Sequence, residues 1–484
     1  MHWIDAAVFG LYMLGLLGMG FYFLLKNKTT DDFFVSGRNM GPWHIGLSVV
    51  ATDVGGGFSI GLGGLGFLMG LSGSWMLFTG LIGAWLSAVF LIPKVYNIGR
   101  LGNFQTFPQI FKHFYNKKVA LLAGIISGLG YLGFTSSQIL AGAKLASASF
   151  VDLDITTALL VMGAITIIYT VLGGMTAVIY TDTVQWIVLL AGLAFVGLPL
   201  AYHAVGGWGT IRETLPSSYF SLTNITWTTI LNWAVTIIPI WFIGMTLYQR
   251  IYASRSEKEA KKAWFIAGFF EWPFMAFMGV TLGLLAKVAA EQGMFEIHGY
   301  ATSEGLDAEL GLPLLLREIL PVGLMGVMMS VYFSAILSTA DSCLMAASGN
   351  VLTDILCSFF PRLEKHPKIL VFTQILTLIL GMIALFLATK MSNVLDLMLH
   401  SYAFMVSGLF VPLLAALYLK KIHPLAALAS MLGGGTTTLL LTLFVEKLPL
   451  GLDANIFGIL VSAFLFYTVN KLKSSRQYTQ KTYE

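Results

Sequence analysis

Charge is what this chain has least of. Only 11% of its 484 residues are Asp, Glu, Lys or Arg, less than half the usual share of about a quarter in soluble domains. So little charge cannot clothe the surface of a soluble enzyme of this size. Cysteine is nearly missing as well. Cys343 and Cys357 are the two present, and on one helix they would stand about 21 Å apart, beyond disulfide reach. A secreted disulfide scaffold is thereby excluded, and a 57% hydrophobic composition excludes disorder. Apolar residues and 51 glycines fill the space that charge leaves. At about 20 apolar residues per transmembrane helix, the chain has room for well over ten. The class is an all-α integral membrane protein whose first partner is the lipid bilayer. A net charge of +4 gives no reason to invoke nucleic acid.

Punctuation by charged residues, Pro and Asn/Asp clusters divides the apolar sequence into thirteen expected spans. They are 4–25, 42–70, 72–97, 118–149, 155–172, 176–203 and 228–250, then 263–290, 313–351, 368–389, 394–419, 423–446 and 450–470. The first lacks a basic leader and carries Asp5, so it reads as a retained helix. The thinnest division is a short turn at Gly173-Gly174. With the N-terminus outside, the basic residues gather on the inner side, Arg250 among them. The exceptions are Arg212, Lys287, Arg317, Lys390 and Lys447 outside, and Lys144, which lies within a span and is expected to snorkel. This predicts a multi-pass protein of the plasma (inner) membrane with a cytoplasmic C-terminus.

Two spans carry interruptions five spans apart. Span two holds Asp53-Val54-Gly55-Gly56-Gly57-Phe58, and span seven holds Pro239 and Gly244. Breaks at matching positions of two halves are the mark of inverted-repeat transporters, because a broken helix frees carbonyls for an ion. Charged groups at membrane depth also mark function. Asp53, Asp182 and Asp341 fall in the inner half of the membrane, with no Lys or Arg expected at their level. Span nine adds Ser330, Ser334, Ser338, Thr339, Ser342 and Ser348 at the three-to-four spacing of one helix face. Carboxylates, hydroxyls and free carbonyls suit a hard cation such as sodium. Glu271, beside Trp272-Pro273, reads as a partner for backbone freed by the proline, and His400 as a packed histidine or a ligand.

The stretch Leu172-Gly173-Gly174-Met175-Thr176-Ala177-Val178-Ile179-Tyr180-Thr181-Asp182-Thr183-Val184-Gln185 resembles the signature of the sodium:solute symporter family. Ser334-Ala335-Ile336-Leu337-Ser338-Thr339-Ala340-Asp341-Ser342 resembles its sodium-binding helix, and Asp32-Phe33-Phe34-Val35-Ser36-Gly37-Arg38 its early inner loop. The resemblance implies a leucine-transporter-like fold of two inverted five-helix repeats, each opening on a broken helix. The repeats would occupy 42–203 and 204–419, flanked by 1–41 and by two last helices and a tail in 420–484. It implies a first sodium site on the carbonyls of Ala51, Val54 and Ala335 and the hydroxyls of Ser338 and Thr339. A second, as in sialic acid-type members, would use Asp182, Ser338, Asp341 and Ser342.

The solute is less constrained. Sugar-type Glu/Gln pairs and a sialic acid-type arginine are missing, and only Phe134 stays aromatic among three choline-type positions. Candidate walls are Asp53, Phe58, Trp75, Phe78, Gln138, Trp241, Thr246 and Tyr402, which suit an amino acid or small amine. The expectation is a sodium-coupled symporter, not an enzyme, working by alternating access as a monomer. A monocarboxylate, vitamin or sugar is the alternative cargo. A membrane enzyme would want a DDxxD-type motif or clustered histidines, and a sensor an appended domain beyond the fourteen residues after Asn470.

Overall fold

The computed structural model describes residues 2–26, 29–150 and 153–481, side chains excepted at 24, 26, 30, 32, 54, 57–59, 173, 174, 176 and from 474 onward. Among the described residues every regular element is helical, and one bridge, Met40 to Ser254, is the single strand-like contact. Among the described residues, eleven stretches are long and apolar enough to cross a membrane, or twelve when the bent pair Trp227–Ile243 and Met245–Ala253 is one crossing. The expected thirteen would further require dividing the 42-residue stretch Ile60–Leu101 at the turn Gly70–Ser74. The division expected at Gly173-Gly174 falls between two of these stretches, Ile155–Leu172 and Ala177–Ala204, and the chain bends back there: the Tyr169 hydroxyl lies 3.4 Å from Thr181 Oγ1, although a straight helix would set residues twelve apart at about 18 Å.

Both interruptions fall on the expected glycines. Helix Pro42–Val54 stops at Gly55 and Gly56–Met69 follows. Helix Trp227–Ile243 stops at Gly244, whose backbone is extended, and Met245–Ala253 leaves at 41°. Span nine is the centre of the bundle: every residue from Met328 to Asn350 is buried, whereas Ile369–Ala388 and Ala454–Lys473 present most of their surface outward. Two backbone hydrogen bonds tie the entry to the first broken span to the exit from the second. Met40 N–H donates to the Ala253 carbonyl (2.9 Å) and Arg255 N–H to that of Met40 (3.0 Å).

Lys144 does not snorkel. It is buried, and its ammonium donates to Asp307 and Glu309 at 2.6 Å each. Glu309 also accepts the N–H groups of Val394 and Leu395, so one carboxylate caps helix Val394–Tyr418 and neutralises the lysine. An ammonium with carboxylates in reach gains more from pairing than from stretching to water. We predict that Lys144→Met destabilises the protein by about 2 kcal/mol, below the range for a fully buried pair, because Asp307 is 38% exposed. The readout is the melting temperature in detergent. Adding Glu309→Gln should recover most of the loss, and a single variant that melts with the unmodified protein refutes the pairing role.

Candidate solute and sodium site

The first break brings span two against span nine. The Thr339 hydroxyl donates to the Ala51 carbonyl (2.9 Å) and lies 3.4 Å from that of Ala335. Such closeness requires glycine at position 55, because a Cβ there would stand 2.1 Å from Thr339 Oγ1. The next residue's freed N–H is taken as well: Gly56 donates to Gln138 Oε1 at 2.7 Å. Ala51, Ala335 and Thr339 thus meet as one cluster of oxygens. Ser338, predicted beside them, turns its hydroxyl to Asp182. The Val54 side chain lies outside the described residues.

The second cluster overturns one expectation. Asp182 has a counter-charge at its own level, and it is Arg250. The sequence reading put this arginine in an inner loop, but the structure buries both residues completely and sets Arg250 Nη2 3.5 Å from Asp182 Oδ2. Arg250 also donates to Ser48 Oγ (3.0 Å), Ser342 Oγ (3.0 Å), the Thr246 carbonyl (3.2 Å) and Thr52 Oγ1. Asp182 accepts in addition from Ser48 and Ser338. A guanidinium in a water-poor interior needs its fork of donors satisfied, and helix Met245–Ala253 delivers it to four partners on spans two, six and nine. Asp341 stands apart from this pair. One oxygen accepts from Thr170, and the other has no partner among the described residues.

The predicted solute residues divide. Thr246 meets Tyr131, whose hydroxyl lies 3.2 Å from its Oγ1 and 3.3 Å from its amide nitrogen. Tyr402 packs edge-on against Phe134 at 4.9 Å, and Trp241 is fully buried against Trp264. Trp75 and Phe78 belong elsewhere. Trp75 donates to the Leu222 carbonyl in the loop that leads into helix Trp227–Ile243, and Phe78 lies between Trp75 and Trp272. The Phe58 side chain is outside the described residues. A cavity of about 710 Å³, lined by Trp233, Asp396, His400 and Asp453, takes in none of these predicted residues. Gln138 and Tyr131, on one helix, reach both breaks: Gln138 accepts from Gly56 at the first, and Tyr131 meets Thr246 just after the second.

Sequence reasoning missed Arg250, Ser48, Thr52, Thr170 and the role of Glu271. Glu271 is fully buried, and it does not serve the backbone freed at Pro273. The turn that carries it, Phe270–Met275, packs against helix Pro42–Val54, and its carboxyl lies close enough to that of Asp53 for each to act on the other's charge. The available signal was an ionisable residue at membrane depth, which Arg250 and Glu271 both carried.

The model of the sodium:solute symporter family matches residues 33–434. The chain is 26% identical to the high-affinity proline transporter PutP of Bacillus subtilis (strain 168), over 88% of this chain and 89% of that one. It is 27% identical to the sodium/proline symporter of Escherichia coli (strain K12), over 89% and 86%. With sodium/glucose cotransporter 1 of Ovis aries it shares 26% identity over 72% of this chain and 58% of that one. In structure it is similar to a Na+-coupled sialic acid symporter in a substrate-bound outward-open state, with TM-score 0.76, 20% identity and 97% and 98% coverage. It also matches Mhp1, a nucleobase-cation-symport-1 family transporter, at TM-score 0.56 and 13% identity, covering 90% and 92%. These neighbours carry the leucine-transporter-like fold that the two broken spans announced.

Proposed function

This chain belongs to the sodium:solute symporter family, and from that premise we propose that it imports an amino acid or small amine together with sodium by alternating access. The observation that carries the reading is the junction at Gly55. There a broken helix offers the Ala51 carbonyl to a hydroxyl of span nine, alongside the Ala335 carbonyl. Oxygen ligands from two helices that move against each other suit a sodium ion, which favours whichever state keeps them together. The full set is Ala51, Val54, Ala335, Ser338 and Thr339. A second ion on Asp182, Ser338, Asp341 and Ser342 requires Arg250 to leave Asp182. Asp341, with one oxygen unpartnered, is the part of that set still open to a cation.

The repeats are 42–203 and 204–419, with 1–41 before and 420–484 after, and the monomer is the working unit. The N-terminus lies outside and the C-terminus inside, because the remaining loop lysines and arginines crowd one side even after Arg250 is withdrawn. Inward sodium movement then gains about 2.3 kcal/mol per charge at 100 mV.

The test has two arms. In proteoliposomes, uptake of amino acids and amines should follow an inward sodium gradient and ignore a proton gradient; the reverse result overturns the reading. In detergent, sodium should raise the melting temperature where potassium does not. Thr339→Val should increase the sodium concentration needed by about tenfold, the effect of losing one polar contact to a charge. An unchanged midpoint removes Thr339 from the site.

A further inference from the structure

Three buried polar groups without partners converge between the two broken spans, and the sodium reading uses none of them. Asp53 is the penultimate residue of helix Pro42–Val54, two before the break at Gly55. Glu271 lies on the helix that runs from Glu257 to Glu291, where a wide turn over Phe270–Met275 interrupts regular bonding. Both are buried, at 7% and 0% exposure. Apart from each other, Asp53 Oδ2 and both oxygens of Glu271 have no hydrogen-bond partner among the described residues. Trp241, fully buried on the second broken span, leaves its indole N–H unpartnered as well. It belongs to the same space. A Cβ at Gly80 would lie 2.2 Å from Glu271 Oε2 and 3.9 Å from Trp241 Nε1, so the missing side chain is what admits the carboxyl. Tyr131 and Tyr402 are within electrostatic reach of Asp53, and Tyr402 of Glu271 too.

Two carboxyls facing each other in such surroundings cannot both be ionised unless a cation lies between them. Arg250 is not available for this, since its donors are spent on Asp182, Ser48, Thr52, Ser342 and the Thr246 carbonyl. The three free oxygens are acceptors, so their complement is a cation that carries N–H bonds in more than one direction. A quaternary ammonium has charge and no N–H. A neutral or anionic solute has no positive charge to offer.

We infer that Asp53 and Glu271 together grip the protonated amine of the solute, selecting primary and secondary ammonium groups over quaternary, neutral and anionic ones. This deepens the symporter reading and rests on it. Glu271 becomes a specificity residue contributed by a helix that carries none of the proposed sodium ligands. Trp241, Tyr131 and Tyr402 supply aromatic faces for the same charge.

The experiment is a thermal-shift titration of the full-length protein in sodium buffer with matched probes. One set is L-proline, its N,N-dimethyl betaine and tetrahydrofuran-2-carboxylate. The other is ethanolamine, choline and ethylene glycol. At least one of L-proline and ethanolamine should stabilise the protein, while its quaternary and amine-free counterparts fail at ten times the concentration. A site built for hydrogen bonding rejects analogues that lack the donor. Glu271→Gln should weaken the ammonium probe about tenfold, as expected for a lost bond to a charge, and leave the solute-free sodium midpoint within about twofold.

Equal stabilisation by a quaternary or amine-free probe overturns the inference, and so does silence from both ammonium probes. A Glu271→Gln variant that shifts the sodium midpoint and not the solute response also overturns it, making the pair an ion site. If that variant does not fold, the unmodified protein's ranking of the probes decides alone. The two readings fail separately. Ammonium selectivity that is the same in potassium as in sodium sinks the coupling and spares the grip.

Discussion

Replacing Arg250 by leucine should lower the unfolding free energy by about 3–5 kcal/mol, the range for stranding one partner of a buried ion pair. The reason lies in what remains. Asp182 would keep the hydroxyls of Ser48 and Ser338, fully buried, with no positive charge at its depth. Thr52 and Ser342 would also lose the guanidinium that joins them. Arg250→Lys should recover little, because a single ammonium cannot reach the Thr246 carbonyl, Ser48, Thr52 and Ser342 as the planar fork does. The informative companion is Arg250→Leu with Asp182→Leu. Replacing both charges by apolar groups often restores stability, so the double variant should melt well above the single one. A single variant within about 1 kcal/mol of the unmodified protein would mean that Asp182 finds water or another cation in the folded state.

The second large effect is expected at Gly55. A methyl group there meets Thr339 at 2.1 Å from Oγ1, 2.5 Å from Cβ and 2.7 Å from Cγ2, so one helix must retreat. Overpacking of this kind costs about 1–3 kcal/mol, but the larger consequence is for the ion. Span two and span nine would part where the Thr339 hydroxyl reaches Ala51. Gly55→Ala should reduce sodium affinity by about a hundredfold, equivalent to two polar contacts of about 1.4 kcal/mol each. Removing the clash with Thr339→Gly in the same chain, since alanine would keep the Cβ that stands 2.5 Å from the new methyl group, should return most of the melting temperature and leave the sodium response lost. Recovery of both would show that the hydroxyl does not serve the ion. Sodium affinity within about twofold in Gly55→Ala would show that the junction tolerates separation and binds nothing.

The parts of the site carried by backbone chemistry were the legible ones. Three glycines after Asp53, and Pro239 with Gly244, can be read as interruptions because glycine and proline weaken helices wherever they stand. The hydroxyl face of span nine was legible in outline only. Ser330 and Ser348 bond back to the carbonyls of Gly326 and Leu344, while Ser338, Thr339 and Ser342 reach other helices. A serine in a membrane helix has both choices, and its sequence spacing does not tell them apart. Arg250 escaped because it ends a span, where an arginine usually reads as an anchor in the headgroups. Glu271 escaped because its neighbour is a proline, which offers a ready use for a carboxyl. Lys144 was seen as intramembrane, but its partners Asp307 and Glu309 lie more than 160 residues away and belong to a loop and a short helix. Which distant helices meet is a property of packing that no local pattern records.

The pairing of Asp182 with Arg250 also bears on how the chain is made. Of the groups that hold Asp182, Ser48 alone is synthesised before it; Arg250 follows 68 residues later and Ser338 follows 156 residues later. At about 5–20 residues per second, the arginine arrives roughly 3–14 s after the aspartate. During that interval the span bearing Asp182 waits with a single serine as its partner from this site. The first half of the chain is therefore incomplete as a folding unit, and a ribosome stalled before Arg250 leaves a substrate for quality control.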